Sequence, residues 1–182
     1  MYIIKDKSFI GMFVLLIVIA LAPAAISAAP ADDNRPPELP SPLCDQVNVP
    51  EGSRLQFRAF ATGVQVYRWD GSAWLFVQPV ANLFANVDYT GQIGTHYAGP
   101  TWESTSGSKV VGTRLFGCQP DPTAIPWLRL EAVSTSGPGI FNSVTFIQRL
   151  NTTGGLAPST PGLVVGQTAE VPYTAEYYFY RD

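Results

Sequence analysis

The chain has 182 residues, of which 46% are hydrophobic and 14% are charged, and its 11 basic and 14 acidic residues give a formal net charge of −3. This length suits one domain with one hydrophobic core. The basic residues are scattered through strand-like segments, as on solvated strand faces, and do not cluster. Because phosphate binding needs clustered Lys and Arg, nucleic acid and anionic membranes are disfavoured as main partners.

The first 28 residues have the pattern of a secretory signal peptide. Lys5 and Lys7 precede an apolar run over residues 9–22, and the small residues at 24–29 offer cleavage after position 28 or 29. An uncleaved membrane anchor is the alternative, because the apolar run is only slightly shorter than a spanning helix. However, small residues follow the run where an anchor usually meets a charge. We expect a secreted protein that has no membrane association after cleavage.

A Pro-rich leader is predicted for residues 29–43, since five prolines and two aspartates there cannot bury enough apolar surface to order the segment. A single domain is predicted for residues 44–182. Cys44 and Cys118 are the only cysteines, and in an oxidising compartment they most simply form one disulfide. Two free thiols or a metal pair are the alternatives. Neither a second histidine nor a CxxC spacing supports a metal, so we expect no metal site.

Within the domain, the hydrophobic pattern indicates β-strands. Residues 54–61 alternate between apolar and polar side chains, and residues 64–69 and 74–77 flank the turn at 70–73 as a hairpin. Trp69 and Trp74 are placed to face each other across it. Four further strands are predicted, over residues 110–116, 127–133, 144–150 and 169–180. A short helix fits only residues 80–86.

Strands separated by Gly, Ser, Pro and Asn turns predict an all-β fold, an antiparallel β-sandwich or barrel with at most one short helix. The aromatic run at residues 173–180 is expected to pair centrally in the sheet rather than form a loose tail.

Residues 94–103 gather the only histidine, a tryptophan and a carboxylate between glycines and a proline. In a chemical interpretation, His96 acts as a general acid or base and Glu103 as its partner. Residues seven apart fall on opposite faces of a strand, so their cooperation requires the turn at Gly99–Pro100 to fold them together. Neither a nucleophile elbow nor a metal-ligand histidine pair accompanies them, and a single histidine is commonly structural.

Ligand binding is the competing interpretation, and it places less demand on geometry. Flat aromatic faces with polar neighbours could form a groove for a carbohydrate or another small amphipathic ligand. The same rings could equally be core residues. We favour a binding or surface-interaction module over an enzyme and expect no cofactor; the oligomeric state stays open. The candidate binding residues are Gln65, Tyr67, Trp69, Tyr97 and Trp102.

Residues 151–153 form an N-glycosylation acceptor at Asn151, followed by a Gly-Gly turn that favours surface exposure. A eukaryotic host could therefore glycosylate this asparagine, although such acceptor sequences also arise by chance.

Six separated motifs follow one another along the domain: GVQVY at 63–67, GTHYAGPTWE at 94–103, GSKV at 107–110, IPWL at 125–128, GGLAP at 154–158 and VPYTA at 171–175. Together they resemble a family of secreted bacterial and fungal proteins known only as a domain of unknown function. The resemblance covers residues 44–180, implies secretion and a shared fold, and supplies no catalytic residues.

Some fungal relatives in that family carry a malate dehydrogenase label. In this chain, the glycines of Gly137-Pro138-Gly139 are followed by Asn142 where a dinucleotide fingerprint needs its third glycine. The alternating β and α segments of a dinucleotide-binding fold are also missing from the pattern. The sequence therefore disfavours a dehydrogenase.

Overall fold

The computed structural model describes residues 36–182, so the predicted signal peptide and the first part of the leader lie outside the described residues. Within them the only helical element is a 3-10 turn at Asp45–Val47. None of this part forms a helix long and apolar enough to cross a membrane. The strands are β1 Arg54–Trp69, β2 Trp74–Phe84, β3 Gln92–Tyr97, β4 Thr101–Ser104, β5 Lys109–Cys118, β6 Trp127–Ser136, β7 Phe146–Gly154 and β8 Thr168–Arg181.

The eight strands form one closed antiparallel barrel. Each strand pairs with the next along the chain, and β8 pairs with β1 to close the ring. The all-β prediction is confirmed, and of the two predicted architectures the barrel is the one observed. A barrel of eight strands has an interior that side chains can fill or that can hold one small ligand.

The long strand β1 replaces two predicted strands, because the pairing continues through Gly63 without a break. A Cβ at Gly63 would lie 2.1 Å from the Val80 carbonyl oxygen, so glycine lets β1 and β2 approach closely here. The predicted helix at residues 80–86 is wrong. Residues up to Phe84 continue β2, where burial alternates with a period of two and Leu83 is fully buried.

Strands β3 and β4 were not predicted from the sequence. They form a short hairpin across the turn that contains Gly99 and Pro100, with His96 opposite Trp102. The predicted cross-strand pair of Trp69 and Trp74 is confirmed, with ring centroids 5.5 Å apart.

Residues 177–180 of β8 are buried on both faces of the strand, and the aromatic run pairs centrally, between β1 and β7, as predicted. Tyr177 and Phe179 point into the barrel, whereas Tyr178 and Tyr180 point outward beneath the segment that precedes β1. Leu39, in the leader, is partly buried against this outer cluster.

The predicted disulfide is confirmed: Cys44 and Cys118 are bonded, and they join the segment before β1 to the end of β5. A hydrogen bond from Gln148 Nε2 to the Val47 carbonyl oxygen, 2.7 Å long, adds a second attachment to β7.

Candidate functional site

One end of the barrel is filled and the other is hollow. At the filled end, Phe57, Phe141 and Phe179 pack together with ring centroids 4.6–5.6 Å apart. The hollow end contains a cavity of about 540 Å³, within the size range of small-ligand sites. The turns β1–β2 and β3–β4 and the loop β5–β6 lie at this end, so strand ends and turns form the mouth.

The cavity wall is mainly apolar and carries a small number of polar groups. Its apolar and aromatic side chains are Tyr67, Phe76, Val77, Pro79, Ala98, Pro100, Trp102, Ile125, Pro126, Leu128, Leu130 and Tyr177. Its polar and charged side chains are Gln65, His96, Arg114 and Arg149.

Three rings in contact form the floor of the cavity. His96 lies parallel to Trp102 with centroids 4.4 Å apart, and Tyr177 contacts both rings edge-on. The His96 Nδ1–H donates to the Thr101 carbonyl oxygen over 2.8 Å, which leaves Nε2 as an acceptor. Burial lowers the pKa of His96 to about 3, so this imidazole is neutral at physiological pH.

Several buried polar atoms around the cavity lack a well-formed hydrogen bond within residues 36–182. They are Gln65 Nε2, Trp102 Nε1 and the hydroxyls of Tyr173 and Tyr177. All four residues are at most 2% exposed. An unsatisfied buried polar group costs about 1–3 kcal/mol, and native structures contain few of them. The Tyr67 hydroxyl differs, since it donates to the Gly155 carbonyl oxygen over 2.7 Å. Tyr173 lies near both Gln65 and Tyr177, and Tyr177 lies near Arg149, so these groups partly compensate one another. Their remaining hydrogen-bonding capacity is available to a bound molecule.

Arg149 supplies positive charge to the interior. It lies on β7, directly between Leu128 of β6 and Tyr177 of β8 in register, and shares their inward face. Its Nη2 and Nε donate to the Pro126 carbonyl oxygen over 2.8 and 3.2 Å. Burial raises the pKa of Tyr177, and the nearby Arg149 charge partly offsets this increase.

Burial raises the pKa of Tyr67 and of Tyr173, and the Arg149 charge offsets part of each increase. No carboxylate lines the cavity, and no ion pair to Arg149 is formed among the described residues. The electrostatic environment inside this end of the barrel is therefore positive.

The structure brings together four of the residues selected from the sequence: Gln65, Tyr67, His96 and Trp102 all line the cavity. Trp69 lies elsewhere, beside Trp74 in a shallow groove that also includes residues 157–161.

Tyr97 and Glu103 lie on the outer face of the β3–β4 hairpin. The Tyr97 hydroxyl donates to Glu103 Oε2 over 2.5 Å, and Lys109 Nζ lies 3.2 Å from the same oxygen. These contacts, that of Tyr97 foremost, lower the pKa of Glu103. Trp102 pairs with His96 and points into the barrel with it. Because successive residues of a strand point to opposite faces, Glu103 projects outward. The turn thus does not bring His96 and Glu103 together as an acid–base pair.

Sequence reasoning missed the two arginines of the cavity. Arg149 is an exception to the solvated faces expected for arginines, because it lies inward of the sheet, and Arg114 lines the cavity as an exposed side chain of β5. In the segment Ile147-Gln148-Arg149-Leu150, the odd-numbered and the even-numbered positions each contain one apolar residue. Alternation alone therefore could not assign a face, and only the register with β8 does so.

Two other predicted features can be placed. Asn151 is exposed with a φ of 48°, and the Thr153 hydroxyl of its acceptor sequence contacts the Thr174 hydroxyl over 2.7 Å; glycosylation stays a prediction. No group of three or more potential metal ligands occurs within the described part of the chain.

The family model described as "Protein of unknown function (DUF3455)" matches residues 50–181. The chain therefore belongs to this family, as the six motifs indicated. Searches of curated proteins and of solved structures gave no match.

Proposed function

We propose that this family member is a secreted binding module that holds a small amphipathic molecule inside its barrel. The observation that carries the proposal is the cavity of about 540 Å³, whose apolar wall surrounds buried polar atoms that lack well-formed hydrogen bonds. Sites for small molecules typically combine a mainly apolar concave wall with a few polar groups that orient the ligand. The Cys44–Cys118 disulfide is consistent with an oxidising compartment and so supports secretion.

The composition of the wall favours an amphipathic ligand over a carbohydrate. A sugar exposes hydroxyl groups on most of its edges, and burying them without partners would cost free energy at each one. The polar groups that are available lie around the His96–Trp102–Tyr177 floor and Gln65. The upper wall, by contrast, is lined by Phe76, Val77 and the prolines. A molecule with an apolar body and one polar end matches this division.

A variant in which the mouth of the cavity is blocked tests the proposed function. Ala98 is exposed at the mouth, so Ala98→Trp should fill the opening while leaving the core intact. Ala85→Trp is the matched control, because Ala85 is exposed and is not part of the cavity wall. The probe is N-phenyl-1-naphthylamine, a neutral amphipathic fluorophore that brightens when it leaves water.

We expect the unmodified protein and Ala85→Trp to bind the fluorophore with equal affinity, and Ala98→Trp to bind it at least about tenfold more weakly. Equal binding by all three proteins would place the probe outside the barrel and refute the proposal. Absence of binding to all three proteins would also refute it. Methyl glucoside serves as a second probe in a thermal-shift assay. A stabilisation by the sugar that disappears in Ala98→Trp would show that the ligand class is carbohydrate instead.

A further inference from the structure

Arg149 and Arg114 place two guanidinium groups in the wall of the same cavity. Arg149 lies on the inner face of β7, and Arg114 lies opposite the inward-facing Leu130 in the β5–β6 pairing. Arg149 is half-buried and Arg114 is exposed, so the first lies deeper and the second nearer the rim. A guanidinium keeps its charge at all physiological pH values, which makes this a permanently cationic wall.

Arg149 has unused donors within the described part of the chain. A guanidinium carries five N–H groups. The Nε–H and one N–H of Nη2 donate to the Pro126 carbonyl oxygen. This contact holds the guanidinium group against β6. Of the other three N–H groups, one lies near the Tyr177 hydroxyl, and the two that are left are enough for a bidentate contact with a carboxylate. The Tyr177 hydroxyl and Gln65 Nε2, which lack well-formed hydrogen bonds, line the same cavity and offer further donors.

The described part of the chain places no counterion for this charge in the cavity wall. The chain is acidic, with a formal net charge of −3, yet none of its described carboxylates lines the cavity. Glu103, on the neighbouring hairpin, faces outward and is engaged by Lys109. A cation that is partly withdrawn from water without a partner is unfavourable, so an anion that binds in the cavity gains more there than at an exposed surface.

We propose that the ligand carries a carboxylate, which Arg149 binds and Arg114 assists from the rim, while the apolar body of the ligand packs against Phe76, Leu128 and Leu130. This inference rests on the proposed function, because it assigns a charge to the molecule that the cavity holds. The ligand class is thus a small carboxylic acid with an aromatic or aliphatic body. His96, which is neutral and buried in the floor, adds no competing charge.

The test uses two competitors that differ in charge and share a ring system, 2-naphthoate and its neutral amide, 2-naphthamide. Each displaces bound N-phenyl-1-naphthylamine from the folded domain. We expect 2-naphthoate to displace the fluorophore at a concentration at least about tenfold lower than 2-naphthamide does, since a charge-assisted bidentate contact is available only to the anion.

Three arginine variants identify the source of the preference. Arg149→Gln should abolish the preference for the anion, Arg114→Gln should reduce it less, and Arg149→Lys should retain part of it. Arg68→Gln is the matched control, because Arg68 is exposed on β1 and does not line the cavity; it should leave the preference unchanged.

The fluorophore itself separates the two proposals. If it does not bind the unmodified protein, the proposed function fails. If it binds, and 2-naphthoate and 2-naphthamide compete equally, only the carboxylate inference fails. Affinity for the neutral fluorophore within about twofold of the unmodified protein reports that Arg149→Gln is folded. If that variant does not fold, an unchanged preference in both Arg149→Lys and Arg114→Gln overturns the inference.

Discussion

Protonation of His96 should destabilise the folded protein in mildly acidic solution. Burial lowers the pKa of His96 from 6.5 to about 3, so the unfolded chain binds a proton at a pH at which the folded protein does not. A depressed pKa of this kind contributes stability above the unfolded pKa, and that stability is lost as the pH falls towards the folded value. Between about pH 7 and about pH 5, linkage gives a loss of about 2 kcal/mol in unfolding free energy.

The assay is urea unfolding at a series of pH values within this window, followed by tryptophan fluorescence. The pH limit near 5 keeps most carboxylates ionised in both states, so their titration adds little. His96 is the only histidine, which makes the assignment unambiguous. In a protein of this size, about 2 kcal/mol also corresponds to a fall in Tm of about 4–8 °C.

His96→Asn is the control variant, because the Asn amide can still donate to the Thr101 carbonyl oxygen that Nδ1 bonds. We expect this variant to start less stable and to lose the pH dependence between about pH 7 and about pH 5. If the unmodified protein keeps its unfolding free energy across this range, or if His96→Asn has the same slope, the buried neutral histidine is refuted. An imidazole NMR signal that titrates near the ordinary histidine pKa would refute it equally.

Two further changes test the packing around the site. Replacing Cys44 and Cys118 by serine should lower the unfolding free energy by about 4 kcal/mol, because the disulfide closes a loop with a sequence separation of 74. Urea unfolding at neutral pH measures this, and an unchanged unfolding free energy would show that closing this loop adds nothing to stability. Trp102→Ala should lower the unfolding free energy by about 3–5 kcal/mol, since Trp102 is 1% exposed and stacks on His96. A variant as stable as the unmodified protein would contradict the place of Trp102 in the core.

Alternation was a good guide to strands wherever one face is buried and the segment is long. It located the strands from β5 to β8 with differences mainly at their ends, predicted β1 as two strands, and found only the first four residues of β2. It failed at β3 and β4, where the strands have six and four residues and a Gly-Pro turn joins them. It also failed at residues 80–86, where Ala81 and Leu83 face inward with a period of two and continue the strand.

Only part of the candidate site could be predicted from the sequence, because the pairing register of the strands decides which side chains face the cavity. The sequence indicates Tyr67 and Trp102 as flat aromatic faces and Gln65 and His96 as their polar neighbours, and the barrel brings all four to one end. Arg149 could not be selected, because its inward position depends on its pairing with Tyr177 in β8. Which strands become neighbours is a property of the closed sheet and is not encoded within any one segment.

The closure of the barrel by β8 sets an order of events during folding. Arg54 pairs with Arg181, the most distant contact in the sheet, so β1 keeps an unpaired edge until β8 is in place. Contacts so far apart in sequence form slowly, and an open edge is meanwhile available to other chains. Because Tyr177 of β8 is part of the cavity floor, the cavity is complete only after this last pairing. Binding of a molecule inside the barrel would therefore indicate that the barrel is closed. A chain arrested before closure would lack the binding site.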